Sequence, residues 1–226
     1  MCFNEEYFRN RIYSQREGLI KRHISDVLKM GSKVSNSNLL DDQGKTALDV
    51  GCTCGYGIDI LESFGYDVCG VDVTKYSVEK IKKLYSADFV VCEVQKGFPF
   101  KKVFNLLTCF GVIEHLANPL QALKNMFVSY KDTMICTTPN RIVEPPIKKV
   151  IRDLDETHIN VKTQKEWEKS ISRNLNHRFL KVEPFLDASL RVADKLLFFK
   201  SLKIPYFGLD LRILIKNSGD QQLWKE

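Results

Sequence analysis

From residue 46 to residue 137, short apolar runs of strand length alternate with stretches of helical spacing. KTALDVG is followed by a glycine-rich turn and YGIDILESFG. DVCGVD (67–72) precedes a 75–86 segment with Val78, Ile81 and Leu84 on one side. FVVCE (89–93) and VFNLLTCF (103–110) come next, then a helical 119–129 opened by Pro119, then DTMICT (132–137). Strands that are apolar nearly throughout need cover on both faces, and only helices crossing between parallel strands supply it. The alternation therefore specifies an α/β chain built on a parallel sheet. Asn118 fits as a cap before Pro119, whose missing N–H costs nothing there, and Gly65 fits as the stop of the first helix.

The flanks read differently. Residues 3–30 place Phe3, Tyr7, Phe8, Ile12, Leu19, Ile20, Ile24, Val27 and Leu28 at helical spacing with a break near Gly18. GSKVSNSNLLDDQG (31–44) reads as a linker. Beyond Asn140, residues 141–161 read as a long crossing loop with a short helix near 147–152. Thr163 and Glu166 form a capping-box pair for a helix over 163–175. A strand over 178–186, an amphipathic helix over 188–202 and a strand over 208–217 complete the expectation. One sheet uses nearly all of the 226 residues, so a single domain is expected. Within it, 1–44 is an N-terminal cap and linker and 45–140 a cofactor-binding half. Residues 141–226 form a substrate-side half with loop 141–161 and insertion 187–207.

Charge sharpens this division. The chain carries +6 overall, but residues 1–140 hold 17 basic and 16 acidic side chains, against 17 and 12 in residues 141–226. The excess lies in the variable half, where it suits an anionic partner or simply a solvated face. Seven cysteines, an odd number set mostly in apolar runs, fit free thiols in a reducing compartment better than a disulfide framework. No targeting core and no run near 18 apolar residues is present in the sequence, which reads as cytoplasmic and not membrane-spanning.

The informative segment is Ala47-Leu48-Asp49-Val50-Gly51-Cys52-Thr53-Cys54-Gly55-Tyr56-Gly57, a strand entering a turn of small residues before a helix. Such a turn brings backbone amides close to a ligand. Asp72, 21 residues beyond Gly51, ends the next strand, where a carboxylate accepts from a ribose diol. NAD, FAD and S-adenosylmethionine share that requirement. The glycine order Gly-x-x-x-Gly-x-Gly is not the pyrophosphate fingerprint, and Asp49 aims a negative charge at the same place. That charge opposes phosphate and favours the amino group of S-adenosylmethionine. GxxxxGK[ST] is missing, which removes a nucleoside triphosphatase. Cys52 and Cys54 have no second pair or nearby histidine, so no metal site is expected.

LDVGCTCGYG, VCGVDVT, FVVCEVQKGFPF, FNLLTCFGVIEHLANP and MICTTPN together resemble the class I S-adenosylmethionine-dependent methyltransferases. The resemblance is to the small-molecule type related to the ubiquinone and menaquinone biosynthesis enzymes; it covers residues 46–140, with a weaker extension to 171. It implies a doubly wound, Rossmann-like sheet of seven mostly parallel strands, ordered 3-2-1-4-5-7-6 with the last antiparallel. It also implies that Asp49 and Gly51 line the methionine part of the cofactor, and Cys52, Thr53 and Gly55 of the same turn are expected to bind the cofactor too. Asp72 would hold the ribose, Val73 would lie beneath the adenine, Glu93 and Val94 would meet its edge and ring, and Phe110 would stand beside it. The sequence departs from the family at Thr53, where glycine is usual, and at Glu93 and Asn105, where aspartate is.

His115, just past the fourth strand, and His158, in the crossing loop, are the candidates for a base that accepts the acceptor's proton. The alternative for His115 and its neighbour Glu114 is that they hold the loop; for His158 it is a loop hydrogen bond with Asp155 or Thr157. His23 and His177 read as ordinary. In similar proteins the N-terminal segment folds over the cofactor, which brings in Tyr7, Phe8 and Tyr13. Asn140 resembles a pocket-edge residue, but TTPN is not the Asn-Pro-Pro-Tyr pattern of nucleic-acid amino-methylating enzymes. The expected function is methyl transfer to a small molecule by a monomer or homodimer. One alternative is an RNA or protein acceptor met by Arg173, Arg178, Lys181, Arg191, Lys195, Lys200 and Lys203; the other is a non-catalytic cofactor-binding scaffold.

Overall fold

The computed structural model describes residues 16–41, 43–151, 156–192 and 195–217. Its centre is β1 (Thr46–Val50), flanked by β2 (Asp67–Asp72) and β4 (Phe104–Phe110). β3 (Asp88–Val91) pairs outside β2, and β5 (Tyr130–Pro139) pairs outside β4, all in parallel. β8 (Asp210–Asn217) then runs antiparallel to β5, and β6 (His177–Val192) antiparallel to β8. β7 (Lys195–Lys203) closes the far edge, antiparallel to β6. The order is therefore β3-β2-β1-β4-β5-β8-β6-β7. Its first seven positions reproduce the expected order, with the antiparallel strand in the expected place.

The eighth strand is a correction. The expected amphipathic helix over 188–202 is not formed: residues 188–192 belong to β6 and 195–202 to β7, with Ala188 opposite Lys200 and Phe185 opposite Lys203. Local helical spacing lost to a cross-strand ladder, which satisfies the backbone of both strands and depends on a partner the local pattern does not reveal.

The helices divide between the faces as the apolar strands require. α1 (Glu17–Ser35), α2 (Tyr56–Ser63) and α3 (Lys75–Ile81) cover one side. There Val27, Leu28, Ile58, Leu61 and Ile81 pack on Leu106 and Leu214. α4 (Pro119–Phe127) and α6 (Gln164–Asn174) cover the other, where Leu123, Met126 and Trp167 pack on Leu107 and Ile213. Leu106 and Leu107 are consecutive, so the pleat sends them to opposite cores. Each fully buried leucine contributes about 1.5–3 kcal/mol. α5 (Glu144–Ile151) lies in the crossing segment, starting three residues before the expected helix.

The caps follow the sequence closely. Asn118 accepts from the Gln121 N–H, and Thr163 and Glu166 form the capping box. α1 lies so close to the sheet at Gly31 that a Cβ would stand 2.5 Å from Ile135 Cδ1. Tyr7, Phe8 and Tyr13 fall outside the described residues.

Candidate active site

The carboxyl ends of β1, β2 and β4 form one rim, and the turn after β1 folds across it. The N–H groups of Gly51 and Cys52 both donate to the Val71 carbonyl, at 2.8 and 3.1 Å. Gly51 holds φ +79°, and a Cβ there would stand 2.3 Å from Val112 Cγ2, so the turn after β1 passes directly against the loop after β4. Thr53 also has a positive φ, +39°, a conformation that costs a side-chain-bearing residue about 1–2 kcal/mol. Its hydroxyl donates to the Gly51 carbonyl at 2.9 Å and braces the bend.

Two buried carboxylates face this turn. Asp49 is 3% exposed and accepts from Thr108 Oγ1 at 2.7 Å. Burial raises its carboxyl to about 6; the Thr108 bond opposes the rise and the Asp72 charge adds to it. Gly57, in the first turn of α2, leaves room for it, since a Cβ there would lie 2.3 Å from Asp49 Oδ2. Asp72 accepts from the Thr74 N–H and hydroxyl on Oδ1, at 2.8 and 2.7 Å, and from the Thr53 N–H on Oδ2, at 3.0 Å.

The remaining expected cofactor residues stand at or just after the carboxyl ends of β1, β2, β3 and β4. Gly55 takes φ +81° as the cap of α2. Val73 is exposed at the tip of β2, and Glu93 pairs with Lys96 at 2.7 Å. Val94 is buried, and its carbonyl accepts from Asn125 on α4. Phe110 is half-buried at the end of β4. Burial pushes the Cys52 thiol upward, which removes it as a nucleophile.

Beside the rim lies a cavity of about 290 Å³, lined by Gly111, Glu114, Thr137, Thr138, Pro139, Glu144, Ile147, Lys148, His158, Leu209 and Asp210. Of the two candidate histidines His158 lines it, and the His115 ring meets the His158 ring edge to face with centroids 4.7 Å apart. His158 Nδ1 bonds Glu144 Oε1, so in the neutral ring Nδ1 carries the proton and Nε2 is the accepting nitrogen. Glu144 also pairs with Lys148 at 3.2 Å; Asp155, one of the two loop partners expected for His158, lies outside the described residues. Burial would raise the Glu144 carboxyl, but His158 and Lys148 outweigh it and hold it below its ordinary value.

His115 Nδ1 donates to the Thr157 carbonyl at 3.2 Å, and the Glu114 carbonyl accepts from the Asn160 N–H. Those bonds fit the loop-holding role for the pair, yet the Glu114 side chain does something else. It is 2% exposed, and its Oε2 has no hydrogen-bond partner among the described residues. Burial raises its carboxyl to about 7, against the pull of its own backbone amide, His158 and Thr138, with Asp210 adding to the rise.

Asn140 does line a pocket, a separate one of about 620 Å³ shared with Gln164, Pro184 and Tyr206, not the cavity of His158. It is buried, and its amide donates to the Tyr206 and Gly208 carbonyls, bracing the connection between β7 and β8. His23 is not ordinary. On α1 it bonds Asp187 of β6, beside Asp210 and the fully buried Arg212 of β8. The Asp187 and Asp210 charges raise its pKa against the opposing effects of burial and Arg212. The side chain of His177 lies outside the described residues.

Ligand atoms of Glu114, His115 and His158 lie within 4.8 Å of one another, as do those of His23, Asp187 and Asp210. In the second group Arg212 already serves as the cation for Asp187 and Asp210, at 2.9 and 3.3 Å. Sequence reading missed Glu144, Lys148, Asp210 and Thr108. No local pattern ties Glu144 to a histidine 14 residues away, whereas the Thr108–Asp49 contact follows from the parallel register of β1 and β4.

Comparison with known proteins identifies the family and the fold. A family model described as a methyltransferase domain matches residues 17–174. A tRNA U34 carboxymethyltransferase of Helicobacter pylori is 31% identical over 133 residues, 51% of this chain and 49% of that protein. A ubiquinone biosynthesis O-methyltransferase of Bordetella avium is 29% identical over 84 residues, 34% of each chain. The chain thus spans about half the length of one curated relative and a third of the other. Among solved structures, a SAM-dependent methyltransferase from Archaeoglobus fulgidus superposes with a TM-score of 0.67 at 16% identity, covering 93% of this chain and all of that one. Magnesium protoporphyrin IX methyltransferase from Synechocystis, with bound SAH, superposes at 0.64 with 15% identity, covering 96% of both chains.

Proposed function

The chain belongs to the methyltransferase domain family, and from that premise we propose that it transfers a methyl group from S-adenosylmethionine to a small-molecule acceptor. The observation that carries this reading is the pair of buried carboxylates, Asp49 and Asp72, facing one glycine-bearing turn at the carboxyl rim of the sheet. Asp49 suits a cationic amino group, and Asp72 suits a ribose diol. The fit is physical. Three positive-φ residues, Gly51, Thr53 and Gly55, shape a concave turn, and Gly57 keeps the Asp49 carboxylate clear. For Asp72 to meet both hydroxyls of a diol, Thr74 must yield its hydroxyl's place on Oδ1.

S-adenosylmethionine, when bound, supplies an electrophilic methyl group. The rest falls to this chain. The 290 Å³ cavity holds the acceptor next to the cofactor rim, and positioning with exclusion of water supplies much of the acceleration. His158, oriented by Glu144, receives a proton at Nε2 where the acceptor must lose one; His115 supports its ring. The six cysteines among the described residues are all free thiols, five of them buried, which supports a reducing, cytoplasmic setting. No described helix is long and apolar enough to cross a membrane.

An RNA acceptor is the second reading, favoured by the tRNA-directed relative. Against it, Lys181 and Lys203 of the suggested basic track both pair with Glu183. The test is calorimetric titration with S-adenosylmethionine, followed by transfer of labelled methyl to a metabolite extract and to total RNA. Millimolar cofactor without binding overturns the proposal. Binding without transfer to either pool supports the scaffold reading instead, and label in RNA alone selects the second acceptor.

A further inference from the structure

Two buried oxygens of the acceptor cavity have no hydrogen-bond partner among the described residues, Thr138 Oγ1 and Glu114 Oε2; only Glu114 is a carboxylate, and its surroundings define what would satisfy it. Resting on the methyl-transfer reading, we propose that Glu114 selects acceptors that carry a cationic ammonium group.

The argument begins with which charges in the cavity are already matched. Glu144 holds both Lys148 and His158. Asp210 is matched by Arg212 at 3.3 Å, with His23 near by. Glu114 is the carboxylate left over: 2% exposed, lining the cavity, with Oε2 unpartnered among the described residues. Burying such an oxygen without a donor is costly, and a ligand that brings one recovers that cost on binding.

The sign of the surrounding field narrows the ligand further. Three carboxylates line the cavity (Glu114, Glu144 and Asp210) against Lys148 and His158. Asp210 acts on Glu114 as a like charge. An anionic acceptor would bring a further negative charge against Glu114, whereas an ammonium brings both the missing donor and the missing charge. A neutral hydroxyl brings only the donor. The walls formed by Pro139, Ile147 and Leu209 fit an apolar body, and 290 Å³ limits that body to a small one.

Three fragments of one shape test this: benzylamine, benzyl alcohol and benzoate, titrated at pH 8 with and without saturating S-adenosylhomocysteine and followed by ligand-observed NMR. Benzylamine is expected to bind at least about 10-fold tighter than the other two. In Glu114→Gln the preference should vanish while affinity for S-adenosylhomocysteine stays within about twofold. Benzoate binding as well as benzylamine in the wild type overturns the proposal, whatever the variant's folding. So does an unchanged preference in Glu114→Gln. A parallel titration with MnCl2 covers the other cation that Glu114, His115 and His158 could share; micromolar binding lost in Glu114→Gln assigns the carboxylate to a metal ion and also overturns it. If S-adenosylhomocysteine does not bind, the methyl-transfer reading fails alone, because the fragment preference is read without it as well.

Discussion

Thr53 donates its backbone N–H to the Asp72 carboxylate at 3.0 Å while its own φ is held at +39°. The carboxylate assigned to the ribose therefore also anchors the turn assigned to the methionine moiety. Asp72→Ala removes both functions at once. With two charge-assisted bonds of about 1.5–3 kcal/mol each at stake, affinity for S-adenosylmethionine should fall about 100-fold or more. Calorimetry gives the answer, and unchanged affinity would remove Asp72 from the site.

Gly57 separates binding from stability. Alanine is the better helix former by about 1 kcal/mol, so Gly57→Ala should not weaken α2 through propensity. Yet its Cβ would stand 2.3 Å from Asp49 Oδ2 and force that carboxylate aside. The expected result is a melting temperature within a few degrees of wild type and cofactor affinity reduced about 10-fold. A variant that binds normally would show that the Asp49 position does not matter.

The sheet was legible because its signals are local. Apolar strands, the Asn118 and Thr163 caps and the Gly65 stop each lie within a few residues of what they control. The Asp49–Gly51–Asp72 rim was legible for a related reason, since parallel neighbours place consecutive strand ends side by side. Three things were not. β7 depends on a ladder with β6 that no periodicity announces. Glu144 reaches His158 through the fold of the crossing segment. His23 looked like one more polar helix residue because its partners, Asp187 and Asp210, lie more than 160 residues away.

Glu144 is expected to act as a positioning residue for His158. Glu144→Gln keeps a hydrogen-bond acceptor but loses the charge that orients and stabilises the ring. Once an acceptor is in hand, kcat should fall about 10-fold or more while KM for S-adenosylmethionine holds, and His158→Ala should cost about 100-fold. A drop in cofactor affinity equal to the drop in kcat would mark the pair as structural.

Glu114 predicts an unusual pH profile of stability. Its carboxyl rises from an ordinary 4.5 to about 7 in the fold, so between those values the native state binds more protons than the unfolded chain. Its contribution is fully present below pH 4.5 and is lost as pH rises through 7. The loss is at most on the order of 3 kcal/mol. Glu114→Gln should therefore be more stable than wild type at pH 8 and close to it at pH 4.5. Urea melts at both values test this, and a variant equally destabilised at both would refute the buried-charge account.

Arg212 holds the helical face to the far half of the sheet. Its side chain is fully buried, pairs with Asp26 of α1, Asp187 of β6 and Asp210 of β8, and lies 4.1 Å from the centroid of the Phe185 ring. Removing one partner from such a cluster strands the others. Arg212→Ala should cost about 3 kcal/mol, much of it from the partly buried Asp187 and Asp210 left without their cation. His23 modulates the remainder: its pKa is raised in the fold, so its contribution is complete below the unfolded value and disappears as pH climbs through the folded one. Asp187 runs the other way, since its carboxyl is lowered and its contribution is lost as pH falls. Neutralising the acids together with the arginine, as Arg212→Met, Asp187→Asn and Asp210→Asn in one chain, should recover much of the loss in a urea melt. If the triple variant is no more stable than Arg212→Ala, packing on Phe185 and not charge pairing is what the arginine provides.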